Sequence, residues 1–165
     1  KVVMEGQKTA YFSEKFLEIT VPVTTKEQIK EIKKTVTHIA KKHDEEPYKA
    51  LATTQQAIFH QLEEQDEIDA AAIFDKVFEE KPLAREAAQL AITEERVPEK
   101  IAVTNVPKYE HKYSKQKFKL DNGIEITIPS EIYENKEMVE FINNPDGSVS
   151  VLIKNIESIL NKFNA

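Results

Sequence analysis

No cysteine occurs in the 165 residues. Disulfides, thiolate nucleophiles and cysteine-based zinc sites are therefore excluded, and a reducing cytoplasm is allowed. Glycine is almost as scarce, with three residues, too few for a glycine-rich nucleotide loop. No apolar run approaches the roughly 20 residues that cross a bilayer. The opening Lys1-Val2-Val3-Met4-Glu5-Gly6 leads into polar residues, not into the apolar segment of a secretion signal. It also lacks an initiating Met and any helix or strand signal, which suggests a piece of a longer chain.

Groups for catalysis are missing too. His38 and His43 are five apart on one expected helix, on different faces. His60 stands alone in an acidic helix and His111 sits in a lysine-rich linker, so no histidine has ligand spacing. No serine lies in a nucleophile elbow. Glu63-Glu64-Gln65-Asp66-Glu67 is rich in carboxylates, but consecutive carboxylates face water, and a general acid needs a desolvated pocket. The expectation is a chain with no enzymatic role, no metal, no cofactor and no membrane partner.

What is present is segregated charge within a soluble composition, 40% hydrophobic and 32% charged. Residues 1–43 carry nine Lys against five Glu, and residues 44–95 carry four basic against fourteen acidic residues. Residues 96–119 carry seven basic against two acidic, and residues 120–165 three against eight. The net charge of −6 thus conceals separate basic and acidic blocks.

The first half has helical periodicity. Thr25-Lys26-Glu27-Gln28 offers a capping box, followed by Ile29, Ile32, Val36, Ile39 and Ala40 on one stripe. Lys30, Lys34 and Lys41 lie along another. A second helix is expected over residues 48–63, with Leu51, Ile58 and Leu62 buried. Asp69 should cap a third, with Ile73, Phe74, Val77 and Phe78 inward. Pro82 should open a fourth carrying Leu83, Ala87, Leu90 and Ala91. Pro98 and Pro107 bracket an expected extended linker. Residues 9–23 are read as a short helical or extended anchor followed by a strand.

The second half alternates with period two. Residues 117–120 and 124–128 flank Asp121-Asn122-Gly123, a tight hairpin in which Asn-Gly favours positive φ. A third strand, residues 138–143, meets a fourth, residues 148–153, through Asn143-Asn144-Pro145-Asp146-Gly147. That cluster is not a calcium loop, because the closing position would fall on Ile153, nor a phosphate loop, because the glycines and the Lys-Ser or Lys-Thr pair are missing. It is turn chemistry. Asn155 should cap a final helix with Ile156, Ile159, Leu160 and Phe163 on one face. The expected fold is α+β: a mainly helical lobe over residues 1–107, then a small antiparallel β-meander over residues 108–165 closed by a C-terminal helix. The two should pack as one unit. Ile124, Ile126, Ile128, Val149, Val151 and Ile153 should share a buried face with Ile159 and Phe163.

Binding is the remaining function class. Lys108, Lys112, Lys115, Lys117 and Lys119 interleave with Tyr109, Tyr113 and Phe118, as in surfaces that neutralise phosphates and stack bases. The competing reading is a solvated linker and an edge strand guarded by lysine. Several segments also resemble the bacterial nucleoid-associated protein family of the NdpA or YejK type, over its carboxyl-terminal half. They are "AYFSEKFLEI" (residues 10–19), the Thr25-Lys26 helix start, "FKLDNGIEITIPSEIY" (118–133) and "NPDGSVSVLIKNI" (144–156). The resemblance implies longer chains with a separate first domain, nucleoid association in the cytoplasm, nonspecific DNA binding, and contact with DNA-topology enzymes. It assigns no DNA-contacting residue. The candidates from the residues themselves are Lys30, Lys34, Lys41, Lys108, Lys112, Lys115, Lys117 and Lys119. The alternative is a protein-interaction or homo-oligomerisation module that does not touch DNA; the acidic block of residues 44–95 favours it on that surface.

Overall fold

The structure, a computed structural model, describes residues 24–163. The anchor and strand expected over residues 9–23 lie outside the described residues. The elements are α1 (Thr25–Lys42), α2 (Pro47–Glu64), β1 (Glu67–Asp69), α3 (Ala70–Val77), α4 (Pro82–Thr93), β2 (Lys100–Ala102), α5 (Val106–Lys112), β3 (Lys115–Lys119), β4 (Glu125–Pro129), α6 (Ser130–Tyr133), β5 (Val139–Asn143) and β6 (Val149–Ile153). The class is α+β, helices first and antiparallel strands after.

Helix α1 begins one residue earlier than the capping pattern predicts. Thr24 is the N-cap: its hydroxyl accepts from the Glu27 amide at 3.1 Å, and the Glu27 carboxylate accepts from the Thr24 amide at 3.2 Å. The stripe Ile29, Ile32, Val36, Ile39 and Ala40 is buried as expected. It packs on α2, where Ile58 and Leu62 are buried, and joins Ile73, Phe74 and Phe78 in one core. Asp69 caps α3, accepting from the Ala72 amide at 3.1 Å.

Helix α4 departs from the expected stripe. Pro82 stands in its first turn, but Leu83 and Leu90 are 70% and 50% exposed, while Ala84, Ala88 and Ala91 are buried. The small stripe lets α4 lie close against its neighbours, where leucine has no room. The expected linker is also structured. Lys100–Ala102 pairs antiparallel with Glu67–Asp69, burying Ile101 against Ile68. In the acidic run after α2, Glu63, Glu64 and Asp66 are exposed, as expected, and Glu67 opens β1, while Val106–Lys112 forms a short helix capped by the Asn105 side chain.

The strands of the second half pair as two hairpins, β3–β4 and β5–β6, and with β1–β2 they make three separate two-stranded sheets instead of a continuous meander. Of the two turns, Asp121-Asn122-Gly123 has positive φ only at Gly123, +94°, so it is not the turn with two left-handed residues that Asn-Gly predicts. The second is a turn as expected, with Gly147 at +91° and Asn144 N donating to Ser148 O at 2.8 Å. Hydrogen bonds from the Ser148 hydroxyl and amide hold the Asp146 carboxyl below the usual carboxylate range.

Two expectations fail at the C-terminal side. Residues 154–163 form no helix, and Ile159, Leu160 and Phe163 are 83–84% exposed. Of the six strand residues assigned to a shared buried face, only Ile128 is fully buried; Ile126 and Val151 are half-buried, and Ile124, Val149 and Ile153 are exposed. Without a closing helix, nothing among the described residues covers the far ends of the hairpins.

The β3–β4 hairpin and α6 attach to α2 through side-chain amides. Gln116, 2% exposed, donates to Ala52 O at 2.9 Å and to Gln56 Oε1 at 3.0 Å. Gln56 in turn donates to Ser130 O at 3.0 Å and to the Glu134 carboxylate. The Ser130 hydroxyl donates to Tyr113 O at 2.7 Å. Beside this chain Phe118, Tyr133 and Phe141 cluster with centroids 5.1–5.9 Å apart, and Tyr48 of α2 joins at 5.7 Å from Phe141.

His60 adds an outer link, its Nε2 2.5 Å from Glu134 and its Nδ1 3.3 Å from Glu63. Partial desolvation lowers its pKa, but the bonds to Glu134 and Glu63 outweigh it, and the net shift is upward.

Replacing Phe74, fully buried, by Ala should cost about 3–5 kcal/mol, read as a lowered urea midpoint. Gln116→Ala leaves Gln56 Oε1 without its donor and should cost about 1–3 kcal/mol, with amide exchange rising first in β3 and β4. Because the folded pKa of His60 is raised, its contribution is full below the unfolded value of about 6.5 and is lost as pH rises through the folded value. His60→Gln should flatten that part of the pH–stability curve; an unchanged curve would show that the Glu134 contact contributes nothing.

Candidate functional site

All eight lysines singled out from the sequence are exposed, but they do not form one surface. Lys30, Lys34 and Lys41 lie on the solvent side of α1, at positions i, i+4 and i+11. Lys34 is paired with Glu31 at 3.5 Å. Lys41 stands in the last turn, where a cation favours the helix end, so a structural role already accounts for it.

Lys108 and Lys112 are one turn apart on α5, each beside an aromatic ring. Lys108 Nζ is 5.5 Å from the centroid of Tyr109, and Lys112 Nζ is 6.0 Å from that of Tyr113. Burial, then the neighbouring Tyr109, pushes the Tyr113 phenol above its ordinary pKa, so its ring stays a neutral support for the Lys112 ammonium.

Strand β3 follows directly. Its register pairs Gln116 with Ile128 and Phe118 with Ile126 on the inner face, and Lys115 with Pro129, Lys117 with Thr127 and Lys119 with Glu125 on the outer face. The period of two thus places three ammonium groups in a row, successive members roughly 6.7 Å apart along the strand. Glu125 opposite Lys119 offsets one of them. Among the described residues, Lys108, Lys112, Lys115, Lys117 and Lys119 have no ion-pair partner within 4.0 Å.

A cleft of about 980 Å³ opens between α2 and the two hairpins. Ile124, Ile126, Phe141, Val149, Val151 and Ile153 supply its apolar walls, with Lys33, Lys117 and Lys119 on its lining. The cleft is therefore apolar inside and basic at the edge. Sequence reasoning missed Lys33. Its signal was its place one turn after Ile29, at the flank of the buried stripe, from which a lysine stem can lie along apolar surface with its head in water. A second cleft, about 770 Å³, lies across α2 and is lined by Glu45, Glu79, Glu80, Glu134 and Glu140 with lysines interspersed. That mixed wall has no net attraction for phosphate.

No group of three or more His, Asp or Glu among the described residues is placed to hold a metal ion. No described helix is long and apolar enough to cross a membrane.

No curated protein and no solved structure matches the chain. A family model described as nucleoid-associated protein YejK matches residues 2–161. This match spans all the described elements, from the capped start of α1 to the exposed segment after β6, and the chain belongs to the nucleoid-associated protein YejK family.

Proposed function

We propose that the chain acts at the nucleoid, in the cytoplasm, as a non-enzymatic protein that binds DNA weakly and without sequence preference through α5 and β3. The observation that carries this reading is the outer face of the β3–β4 hairpin, where Lys115, Lys117 and Lys119 alternate away from the packed Gln116 and Phe118. Lys108 and Lys112 precede them on α5, beside aromatic rings. Family membership supports the nucleoid role, and the surface supports the kind of contact. Lysine presents a point charge without the fork that reads a base edge, so it engages phosphates. Helix α1 is the weaker candidate, because Lys34 is paired and Lys41 serves the helix terminus.

A second reading is favoured by a different observation. The cleft between the hairpins leaves Ile124, Val149 and Ile153 in contact with water, as in protein-interaction surfaces. On that reading the chain docks a protein, with DNA-topology enzymes as the class that the family resemblance implies, and the acidic block of residues 44–95 repels phosphate.

Changing Lys112, Lys115 and Lys117 together to Glu tests the first reading. Affinity should fall on every duplex sequence tried, and the dependence of log K on log salt should flatten by about one unit per lysine. Folding should be unaffected, since the three side chains are exposed. The matching Lys30, Lys34 and Lys41 triple should have the smaller effect. Intact binding in the first triple would remove α5 and β3 from the interface. A chain that fails to bind DNA even at low salt would leave the docking reading in its place.

A further inference from the structure

We propose that the apolar cleft between the hairpins receives the C-terminal segment of a second copy of this chain, so that two copies exchange tails and form a twofold dimer. Receptor and ligand are both present on every chain. The cleft presents Ile124, Ile126, Phe141, Val149, Val151 and Ile153. The tail carries Ile156, Ile159, Leu160 and Phe163 at the spacing of one helical face, and these side chains are 52%, 83%, 84% and 83% exposed. Four large apolar side chains on one short segment are a docking surface in search of cover, not scattered surface residues.

The position of the tail favours exchange over self-closure. Lys154 N donates to Met138 O at 2.8 Å, and the Asn155 side chain donates to Glu137 O at 2.9 Å. The first bond extends the β5–β6 ladder by one residue, and Asn155 then takes a left-handed backbone, φ +57°, which ends the line of the strand. No residue after Ile153 lines the cleft. The tail therefore lies outside the cleft of its own chain. A second copy offers the same cleft to the exposed tail, and because each copy has one of each feature, reciprocal exchange closes the assembly at two. Helix formation on docking fits the pattern, since a short amphipathic segment gains helical stability from packing its apolar face and not from propensity. The lining of about 980 Å³ is at the upper end of the range of deep ligand clefts, roughly 300–1,000 Å³, and has room for one such face.

Analytical ultracentrifugation of the intact chain should show a concentration-dependent dimer. Leu160→Asp with Phe163→Asp should give a monomer at every concentration. Its melting temperature, measured below the dimer range, should match that of the unaltered chain, because both side chains are already exposed within a protomer. Ile124→Glu, at an exposed cleft position, should do the same from the receptor side. The absence of cysteine allows a direct test. A chain with only Ile124→Cys, mixed with a differently sized chain with only Leu160→Cys, should form a mixed disulfide across two chains on mild oxidation. A chain carrying both substitutions that closes within itself at high dilution would overturn exchange in favour of self-closure. An unaltered chain that stays monomeric, or a dimer that survives both the tail and the cleft variants, would overturn the proposal outright. Capture of a different protein by a monomeric chain would count as overturning it too.

Discussion

Gln56 and Gln116 meet side chain to side chain at 3.0 Å in a buried place, and the β3–β4 hairpin with α6 is positioned from that contact. The two amides form a satisfied series: Gln116 donates into the α2 backbone at Ala52, and Gln56 donates onward to Ser130. A buried amide left without a partner costs more than a formed bond returns. The arrangement is consequently intolerant of slippage. A shift of β3 by one residue would bring Lys115 or Lys117 to the α2 surface and take Gln116 into water, exchanging both faces of the strand at once. The aromatic group of Tyr48, Phe118, Tyr133 and Phe141 fills the neighbouring space but has no comparable directional demand.

The helical half was legible because its signals are local. Ile29, Ile32, Val36 and Ile39 repeat at 3.6-residue spacing, and Asp69 sits where a cap must. What was not legible depended on contacts made elsewhere. Strands β1 and β2 have three residues each, too short for alternation to be visible, and exist because Ile68 and Ile101 meet across the chain. On α4, Leu83, Ala87, Leu90 and Ala91 were expected inside; Ala91 is buried with Ala84 and Ala88, while both leucines are exposed; helix separation decided this, and separation is a property of the partners. The closing helix was read from Ile156, Ile159, Leu160 and Phe163, whose spacing is real. Periodicity says which face of a helix would be apolar, but does not supply the surface that stabilises it.

The lysines show the same division. Their exposure was legible from type alone, while their grouping was not. Lys117 and Lys119 come to the cleft with Lys33, from a helix more than eighty residues earlier in the chain. Lys30, Lys34 and Lys41 share a stripe by spacing, yet Lys34 and Lys41 are partly accounted for by Glu31 and by the helix end. Charge counts by segment identify basic sequence; a basic surface requires the fold.

Strand β3 joins the two faces on which function is proposed. Its odd positions carry Lys115, Lys117 and Lys119 to the outside, and its even positions carry Gln116 and Phe118 inward to α2 and the aromatic cluster. The register of β3 against β4 is unbroken from Lys115 to Lys119 and its side chains alternate, so the charged row is as firmly placed as the buried amide behind it. The bonds to α2 are made by the Gln116 side chain and not by the lysine side chains, so substitutions on the outer row should leave those bonds in place even though Lys117 and Lys119 reach the cleft edge, and substitutions at Gln116 disturb the attachment without changing the charge. The hairpin thus separates electrostatic contact from structural support within five residues. A loss of DNA binding on the lysine side can then be assigned to charge, because the scaffold behind it is independently held.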